Sequence, residues 1–420
     1  MKKIKLGEVL DVKRGQSLSG EHYSITGDYL RLTLGNFNYP GGGFKLNTSK
    51  EDLFFTGKIK PEYIMNKGDI ITPLTEQVRG LLGTTATIPE DNLFIQSGDI
   101  GLIIPDETKI DKRFAYYLVS SPIVKKQLDA GSQQTKIRHT SPKKIKDCIA
   151  VIPENINIQR SIAHILDSIN LKIEMNNKIV SEIEKITKAI YNYWFLQFDF
   201  PNIIGKAYKT LNGEMVYNEE LKRKIPANWK VATMNHSEIT KIIKPGIDYF
   251  SKKNYLATAN VDNISIVDGE WINYEERESR ANMQPVENSV WFAKMKNTVK
   301  HVTVTSDDKW IIDKYIFSTG FLGLKTKPYA LSYIHCFINS DIFEFVKNRL
   351  AHGATQEAVN NNDLKYFKVV IPPKNVLEEF NSIILPMIKT MNTSMHENLE
   401  LEKLRNYLFP MLINGQVSVQ

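Results

Sequence analysis

Cysteine is scarce in this 420-residue chain, which contains only Cys148 and Cys336, and these lie far apart in the sequence. Neither belongs to a CxxC pair, so the sequence favours neither a disulfide framework nor a cysteine-based zinc site. The histidines are scattered, and no two of them stand at the spacing of metal ligands. We therefore expect no bound metal, a reducing compartment, and two cysteines buried in strands.

Long apolar runs are also missing. No stretch approaches the roughly 20 apolar residues that a membrane-spanning helix needs. Glu8 and Asp11 interrupt the basic N-terminus before an apolar segment of signal-peptide length develops. We expect a cytoplasmic protein that does not contact a membrane. The net charge of +7 and the pI of about 9.0 favour a polyanionic partner, while a generally lysine-rich proteome remains an equal explanation.

The motifs of the common nucleotide-dependent enzymes are absent. The sequence has no GxxxxGK[ST] loop, no glycine-rich strand–turn–helix suited to a methyl donor, and no Asn-Pro-Pro-aromatic methylase signature. The segment from Pro105 to Lys109 resembles a PD…ExK nuclease motif only superficially, because its acidic residues are adjacent and not on separate strands. We therefore predict no catalytic residues and no cofactor bound by this chain.

What the sequence does contain is a long internal repeat. Each half has a strand-rich block, then an Ile-Pro pair at 152–153 or 371–372, then a long helical stretch. Similar phrases, beginning at Gly131 and Gly353, end the two strand-rich blocks. A repeat on this scale fixes the architecture as globule, helix, globule, helix. Two globular domains held apart by long helices suggest that the protein binds a long partner, such as DNA, at two separated points.

The predicted fold class is α+β, with two α/β domains separated by two long antiparallel coiled-coil helices and related by a pseudo-twofold axis. The antiparallel pair would place the two domains at opposite ends. The boundaries we predict are 1–153 for the first domain, 154–200 for the first helix, 201–228 for a connector, 229–373 for the second domain, and 374–420 for the second helix and tail.

The first long helix has a heptad pattern. With Ile162 as an a position, the pattern places an asparagine, Asn176, in the apolar seam, where it would fix the register of the pair. About 40 residues span roughly 60 Å, and a helix with one apolar stripe must bury it on a partner. Pro386 is predicted to kink the second helix or to mark its start. The predicted helix interface comprises Ile162, Ile165, Ile169, Asn176, Ile179, Ile183, Ile186, Ile190, Trp194, Leu401, Leu404 and Leu408.

These segments carry a family resemblance. The helical region from Gln159-Arg-Ser-Ile-Ala-His-Ile-Leu to Tyr193-Trp-Phe-Leu resembles the central conserved region of specificity subunits of type I restriction–modification enzymes. The connector Ile225-Pro-Ala-Asn-Trp is similar to the usual entry to their second target-recognition domain. The ending Leu404-Arg-Asn-Tyr-Leu-Phe-Pro resembles their distal conserved region. The resemblance covers the whole chain and is most specific in the central helix.

The resemblance implies a function in a restriction system that defends against phage. Such a subunit is non-catalytic and binds double-stranded DNA at a bipartite, asymmetric sequence, one half-site per target-recognition domain. Its helices act as spacers and dock two modification subunits, which methylate adenine, while restriction subunits add ATP-driven translocation and cleavage. S-adenosylmethionine, ATP and magnesium are then expected on the partner subunits. The second helix lacks the Gln-Arg pair of the first, which weakens the case for equal docking of two methyltransferases.

Two alternatives come from other classes of protein. One is a non-catalytic coiled-coil adaptor whose heads bind proteins. The basic loops rich in glutamine, threonine and lysine argue against it, and a steep salt dependence of DNA binding would exclude it. The other is an enzyme in its own right, which the missing motifs disfavour.

Candidate DNA-binding residues lie in loops, because loops project from a sheet and supply both base and phosphate contacts. In the first domain the segment 75–84 ranks highest, with an ordinary hairpin turn as an equal alternative. A solvated surface is the alternative for the loop after Gly131, and a salt-bridged strand arginine is the alternative for Arg31. The first-domain candidates are Arg31, Thr33, Asn36, Gln77, Arg79, Gly80, Gln133, Gln134, Lys136, Arg138, Lys143 and Lys144.

The second-domain candidates occupy the matching segments of the repeat. Lysines are expected to contact phosphates, and the amide and imidazole side chains to read bases. These candidates are Thr258, Asn260, Lys294, Lys296, Asn297, Lys300, His301 and Gln356.

Overall fold

The computed structural model describes residues 1–39, 41–130, 138–201, 205–267, 269–354 and 356–417. The chain divides into two compact units. Unit 1 comprises Met1–Leu171 together with Glu402–Gln420, and unit 2 comprises Lys172–Leu401. Each long helix therefore contributes one part to each unit. The boundary between the units falls inside the two long helices, at Leu171 and at Leu401. The predicted boundaries instead treat each long helix as a segment of its own.

Unit 1 is a mixed α/β body built on short strands. Its strands are β1 (Lys2–Lys5), β2 (Leu10–Arg14), β3 (Tyr23–Ser24), β4 (Leu30–Arg31), β5 (Phe54–Phe55), β6 (Ile70–Pro73), β7 (Thr75–Glu76), β8 (Ala86–Thr87), β9 (Phe94–Ile95), β10 (Ile100–Pro105), β11 (Arg138–His139) and β12 (Ile149–Ile152). Its short helices are α1 (Lys112–Ser120), α2 (Pro122–Ala130) and α3 (Pro142–Asp147). The sheet orders are β2-β10-β6-β8, β3-β5-β4-β9, β1-β12 and β11-β7.

The first long helix, α4, spans Ile156–Tyr191 and continues as a π-helical turn over Asn192–Leu196. The strands of unit 2 are β13 (Met215–Asn218), β14 (Arg223–Pro226), β15 (Lys230–Thr233), β16 (Thr240–Ile242), β17 (Lys253–Leu256), β18 (Val261–Asp262), β19 (Ser265–Ile266), β20 (Glu270–Ile272), β21 (Ala281–Met283), β22 (Ser289–Ala293), β23 (His301–Val304), β24 (Tyr315–Ser318), β25 (Phe321–Thr326) and β26 (Lys368–Ile371). Its helices are α5 (Lys309–Lys314), α6 (Leu331–Ile338) and α7 (Asp341–Leu350), and the second long helix, α8, spans Lys374–Ile413.

The strand order confirms the internal repeat. The sheet β2-β10-β6-β8 of unit 1 has its counterpart in β16-β25-β22-β23 of unit 2. The three strands β5-β4-β9 match β20-β17-β24, and each set contains one parallel pair, β4 with β9 and β17 with β24. The pairs β1-β12 and β15-β26 precede the two long helices. The α+β class and the repeated architecture are therefore as predicted.

The long helices run antiparallel within each unit. In unit 2 the Trp194 ring lies 5.3 Å from that of Phe380, and Asn176 donates to Asn398 Oδ1 at 2.9 Å. In unit 1 Arg405 donates to Asn170 Oδ1 at 3.0 Å, and Leu412 is buried in the core. Each core therefore combines strands, the segment of one long helix that follows them, and the end of the other.

The buried stripe of α4 differs from the predicted seam. The a positions Ile162 and Ile169 are buried, but the predicted d residues Ile179 and Ile186 are 40% and 45% exposed. The buried partners of the a positions lie at e instead, namely Leu166, Ile173, Val180, Thr187 and Trp194. Both d and e carry apolar residues, and either set completes a stripe with the a positions. Tertiary packing therefore determines which of the two faces of α4 is buried.

The other interface residues vary in burial. Ile165, Ile183, Ile190, Leu401 and Leu408 are half-buried, and Leu404 is 45% exposed. Of the two outcomes predicted for Pro386, a kink or the start of the helix, the start is wrong, because α8 begins at Lys374 and runs through this residue. The carbonyl that loses its hydrogen bond is that of Ser382, four residues earlier, and Ser382 is exposed.

Both cysteines are buried, as predicted, but neither lies in a strand. Cys148 follows α3, and Cys336 lies in α6. Among the described residues, no helix has both the length and the apolar character needed to cross a bilayer.

A buried asparagine pair offers a test of the helix seam. Asn176→Ala should lower the free energy of unfolding by about 1–3 kcal/mol, because it removes the Asn176 N–H that donates to the Oδ1 of the buried Asn398. Chemical denaturation measures this loss. Asn176→Leu combined with Asn398→Leu should recover most of it, since no buried amide is then left unpaired. A single variant as stable as the parent would contradict this account of the seam.

Candidate nucleic-acid interface

The buried carboxylate of Glu76 organises the loop that follows β7 in unit 1. Its side chain is only 2% exposed, and Oε2 accepts hydrogen bonds at 3.0 Å from the backbone N–H groups of Gly80 and Leu82. Arg138 of β11 donates to Oε1 at 3.2 Å. The loop therefore has a fixed conformation. Glu76 was missed as a site residue because a lone glutamate in a turn carries no sequence signal.

Gly80 allows this loop its tight path. Its φ of +96° lies in the left-handed region, and an added Cβ would lie 2.3 Å from Tyr39 Oη. Tyr39 donates to the carbonyl of Arg79 at 2.8 Å, so the tyrosine clamps the same turn. Gly80 was predicted to allow close approach of the backbone to DNA. In the structure, the group that packs closely against Gly80 is the Tyr39 side chain of the same unit.

Arg79 projects from the loop but carries a counterion. Its guanidinium is 76% exposed and lies 2.7 Å from Asp129. Arg138 binds the same carboxylate. Hydrogen bonds from Arg79 and Arg138 lower the pKa of Asp129 from 3.8 to about 2, so the carboxylate stays ionised. Asp129, a second residue missed from sequence, thus partly neutralises two of the predicted DNA-binding arginines.

A groove of about 500 Å³ brings several predicted residues of unit 1 together. Arg31, Thr33 and Gln77 line it, and Leu32, Phe37 and Leu81 supply apolar surface. Its lining also includes the segment after the Gly41–Gly43 turn, which was not predicted, through Lys45, Asn47, Ser49 and Lys50. Lysines close to Asn and Ser in a loop after three glycines were the available signal for this segment.

Two predicted readers of unit 1 are mainly structural. Arg31 is 7% exposed, stacks 3.7 Å over the ring of Tyr23, and donates to the carbonyl of Asp52 at 3.0 Å. Asn36 is buried, and its Oδ1 accepts from the backbone N–H of Thr33 at 2.8 Å. Their polar atoms are thus already engaged, which removes Asn36 from the surface candidates and leaves Arg31 as part of the groove wall.

Two lysine candidates of unit 1 are not part of the groove lining. Lys143 and Lys144 are exposed on α3. Gln133, Gln134 and Lys136 lie outside the described residues.

In unit 2 the predicted lysines are engaged within the protein. Lys294 donates to the Thr319 carbonyl at 2.9 Å, Lys300 donates to the Thr258 carbonyl at 2.7 Å, and Lys296 forms an ion pair with Glu357 at 2.7 Å. Burial lowers the pKa of Lys294. These three lysines therefore shape the loop as well as contributing positive charge.

Other predicted residues of unit 2 lie nearby. Asn297 is exposed and has a φ of +54°, a conformation that asparagine tolerates. Gln356 is exposed and donates to Met295 Sδ at 2.6 Å. Asn260 Oδ1 accepts from the backbone N–H of Ala257 at 3.1 Å, and Thr258 is half-buried. Asn297 is therefore an exposed amide whose side chain forms no hydrogen bond with another residue that the structure describes.

The prediction that His301 reads a base is corrected. The ring is 1% exposed; Nδ1 lies 2.8 Å from Asn339 Oδ1, and Nε2 lies 3.2 Å from Glu344 Oε1. Both nitrogens are therefore occupied in the core. All four residues of β23 are buried, so the His301 side chain lies in the core whichever face of the strand carries it. Among the described residues, no group of three or more His, Cys, Asp or Glu side chains could hold a metal ion.

Comparison with known proteins shows a match in the first part of the chain. Residues 1–185 match the family model described as the type I restriction modification DNA specificity domain. Over most of its length the chain is also similar to proteins named as specificity subunits of type I restriction enzymes.

Two relatives illustrate how far the family similarity extends. The specificity subunit of type I restriction enzyme MjaIX from Methanocaldococcus jannaschii is 24% identical over 331 residues, which are 76% of this chain and 72% of the relative. The specificity subunit of type I restriction enzyme HindI from Haemophilus influenzae is 22% identical over 337 residues, 66% of this chain and 72% of the relative. Both similarities extend well beyond the matched specificity domain.

One solved structure has a similar fold. The crystal structure of a type I restriction–modification S subunit from M. genitalium aligns with a TM-score of 0.58 and 15% identity. The alignment covers 98% of this chain and 96% of that one. At this identity the likeness shows the fold alone.

The core of unit 2 contains a titratable group with a testable effect. Burial, with a smaller contribution from His301, lowers the pKa of His335 from 6.5 to about 4. The folded state therefore holds the neutral ring. Its Nδ1 forms a hydrogen bond with Thr303 Oγ1 at 2.8 Å. The stabilisation is complete above pH 6.5 and is lost as the pH falls towards 4, because the unfolded chain then binds the proton more tightly.

We expect His335 to contribute up to roughly 3 kcal/mol to the acid dependence of the free energy of unfolding. The measurement is chemical denaturation at several pH values for the parent and for His335→Gln. The variant should show a shallower loss of stability between pH 6.5 and 4. Equal slopes for both proteins would refute a neutral, buried His335.

Proposed function

We propose that this chain is the DNA sequence-specificity subunit of a type I restriction–modification complex. Each unit would bind one half of a bipartite, asymmetric DNA site. The repeated architecture carries this proposal, because each unit presents an exposed amide in a loop with cationic neighbours, namely Gln77 in unit 1 and Asn297 in unit 2. The two loops differ in sequence, so the two half-sites should differ.

The chain would contribute recognition and no chemistry. Modification subunits would supply S-adenosylmethionine-dependent adenine methylation, and restriction subunits would supply ATP- and magnesium-dependent translocation and cleavage. The long helices would set the spacing between the half-sites. A coiled-coil adaptor that binds only proteins is less well supported, because the relatives are named as specificity subunits of restriction enzymes.

An apolar patch on the helices of each unit supports docking of two modification subunits. In unit 2, Ile186 is 45% exposed and Ile383 is 38% exposed, while Ile190 and Met387 are half-buried beside them. The contacts of Trp194 with Phe380 and of Asn176 with Asn398 set the register of the two helices. In this register the four patch residues lie along the same stretch of the helix pair.

Unit 1 repeats this patch. At one constant sequence offset, Ile186 corresponds to Leu404, which is also 45% exposed, and Ile190 corresponds to Leu408. Ile383 corresponds in the same way to the half-buried Ile165, whereas the counterpart of Met387, Ile169, is buried. Three of the four positions thus carry accessible aliphatic side chains in both units, although the second helix lacks the Gln-Arg pair. Two copies of one partner are the simplest occupants of two such similar patches.

The assignment of half-sites can be tested in cells through the adenine methylome. Deleting the gene should remove one bipartite, asymmetric methylated motif. Replacing residues 1–153 with the same domain of another family member should change one half-site and leave the other half-site and the spacer unchanged. An unaltered methylome after deletion, or a change in both half-sites after the exchange, would contradict the modular proposal.

The patches predict separate docking of the two partners. Ile186→Glu and Leu404→Glu should each reduce the complex from two modification subunits to one, because a charge in an apolar contact is costly to desolvate. Native mass spectrometry of the co-expressed complex measures this stoichiometry. Ile25→Glu, at a residue that is 67% exposed and lies outside the helices, is the matched control. Loss of both subunits from either variant would refute independent docking.

A further inference from the structure

Gln77 and Asn297 occupy the same structural position in the two repeats. In unit 1 the ladder pairs Pro73 with Ile100, and in unit 2 it pairs Ala293 with Phe321. Counting four residues onward from Pro73 and Ala293 reaches Gln77 and Asn297. The register of equivalent strands, rather than a sequence match, therefore aligns these two side chains.

Both positions present an uncommitted side-chain amide. Gln77 and Asn297 are exposed, and neither side chain forms a hydrogen bond with another described residue. Exposed aliphatic surface stands close by in each loop, with Val78 60% exposed and Val299 49% exposed. An amide can bind N6 and N7 of adenine in the major groove through two hydrogen bonds, and an aliphatic group can contact the methyl group of the paired thymine.

An ion pair between two chain segments precedes each amide, and its polarity is reversed between the units. In unit 1, Glu76 is paired with Arg138, its ladder partner on β11. In unit 2, Lys296 is paired with Glu357, next to the bridge between Met295 and Ala358. The acidic residue precedes the amide in one unit, and the basic residue precedes it in the other. What the repeat preserves is a pair of opposite charges.

Backbone bonds tie each pair to its loop. Glu76 also holds the N–H groups of Gly80 and Leu82, and the N–H of Lys296 donates to the Glu357 carbonyl at 3.0 Å. Asn348 Oδ1 accepts from the N–H of Asn297 at 2.7 Å. The backbone that carries each amide is therefore fixed, and an amide in fixed geometry can discriminate between bases.

We propose that Gln77 and Asn297 are equivalent specificity-determining residues, each reading the adenine of an A·T pair in its own half-site. We further propose that the pairs Glu76–Arg138 and Lys296–Glu357 position these two amides. This inference rests on the proposed function. Glu76, Arg138, Lys296 and Glu357 are positioning residues that act through the amides.

The test reads the base preference at every position of the methylated motif by sequencing adenine methylation. Gln77→Ala should make one A·T position degenerate in the half-site that depends on residues 1–153, with discrimination falling about tenfold or more. Asn297→Ala should do the same in the other half-site. In each case the untouched half-site is an internal control. Gln197→Ala, at an exposed amide outside both loops, should leave the motif unchanged.

The positioning role predicts a distinct pattern in unit 1. Glu76→Ala should make the same position degenerate as Gln77→Ala, because Gly80 and Leu82 lose their common acceptor. Glu76→Gln keeps an oxygen for both N–H groups and should retain more of the preference. Degeneracy at a different position, or an unchanged motif in Glu76→Ala, would overturn the positioning role.

Charge exchange provides the rescue in unit 2. Lys296→Glu and Glu357→Lys each place like charges together and should weaken the preference at the position affected by Asn297→Ala. The double variant restores opposite charges and should restore the preference. Failure of the double variant to restore it, with both single variants impaired, would overturn the pair as a positioning element.

These outcomes separate the inference from the proposed function. A methylated bipartite motif that remains fully selective in Gln77→Ala and Asn297→Ala would overturn the inference and leave the specificity role intact. Absence of any motif that depends on the unmodified chain would overturn the proposed function itself.

Discussion

Burial of the apolar stripe of α4 against α8 is the interaction on which both units depend. A single helix of this length cannot hold its conformation through backbone propensity alone. The unit 1 core therefore takes Leu412 and Ile413 from α8, and the unit 2 core takes Tyr191 and Trp194 from the end of α4. The helices are thus structural parts of both units. This explains why a division by contacts separates each helix into two parts.

The loops that carry Gln77 and Asn297 depend on a second constraint, the need to neutralise buried charge. Glu76 is almost fully buried and satisfies its carboxylate with Arg138 and two backbone N–H groups. Lysines of unit 2 satisfy carbonyls and a carboxylate of their own domain. Most charged groups near the loops therefore hold the loops in shape. The amides remain available for contacts outside the protein, so amides are better candidates for base recognition than the more numerous cations.

Sequence patterns predicted the larger architecture well and the atomic roles less well. The repeat, the long helices and the α+β class follow from periodicity, which burial imposes along many residues. The choice between Ile179 and Val180 for the seam required tertiary packing, because both helix faces are apolar at those positions. His301 was misjudged for a related reason. A polar residue in a strand looks the same in sequence whether it faces solvent or completes a buried network, and the partners of His301 lie elsewhere in the chain.

The composition of unit 1 has a consequence for the order in which the protein is made. Its core requires Leu412 and Ile413, and the amino group of Met1 lies 3.8 Å from Glu154 Oε1 in the same unit. All of unit 2 is synthesised between Leu171 and Glu402. On the ribosome, the apolar surface around Ile162 and Leu166 therefore stays uncovered until residues 402–413 have emerged. The first unit to be translated is then the last to close, and throughout that interval its unfinished core is exposed to chaperones and to aggregation.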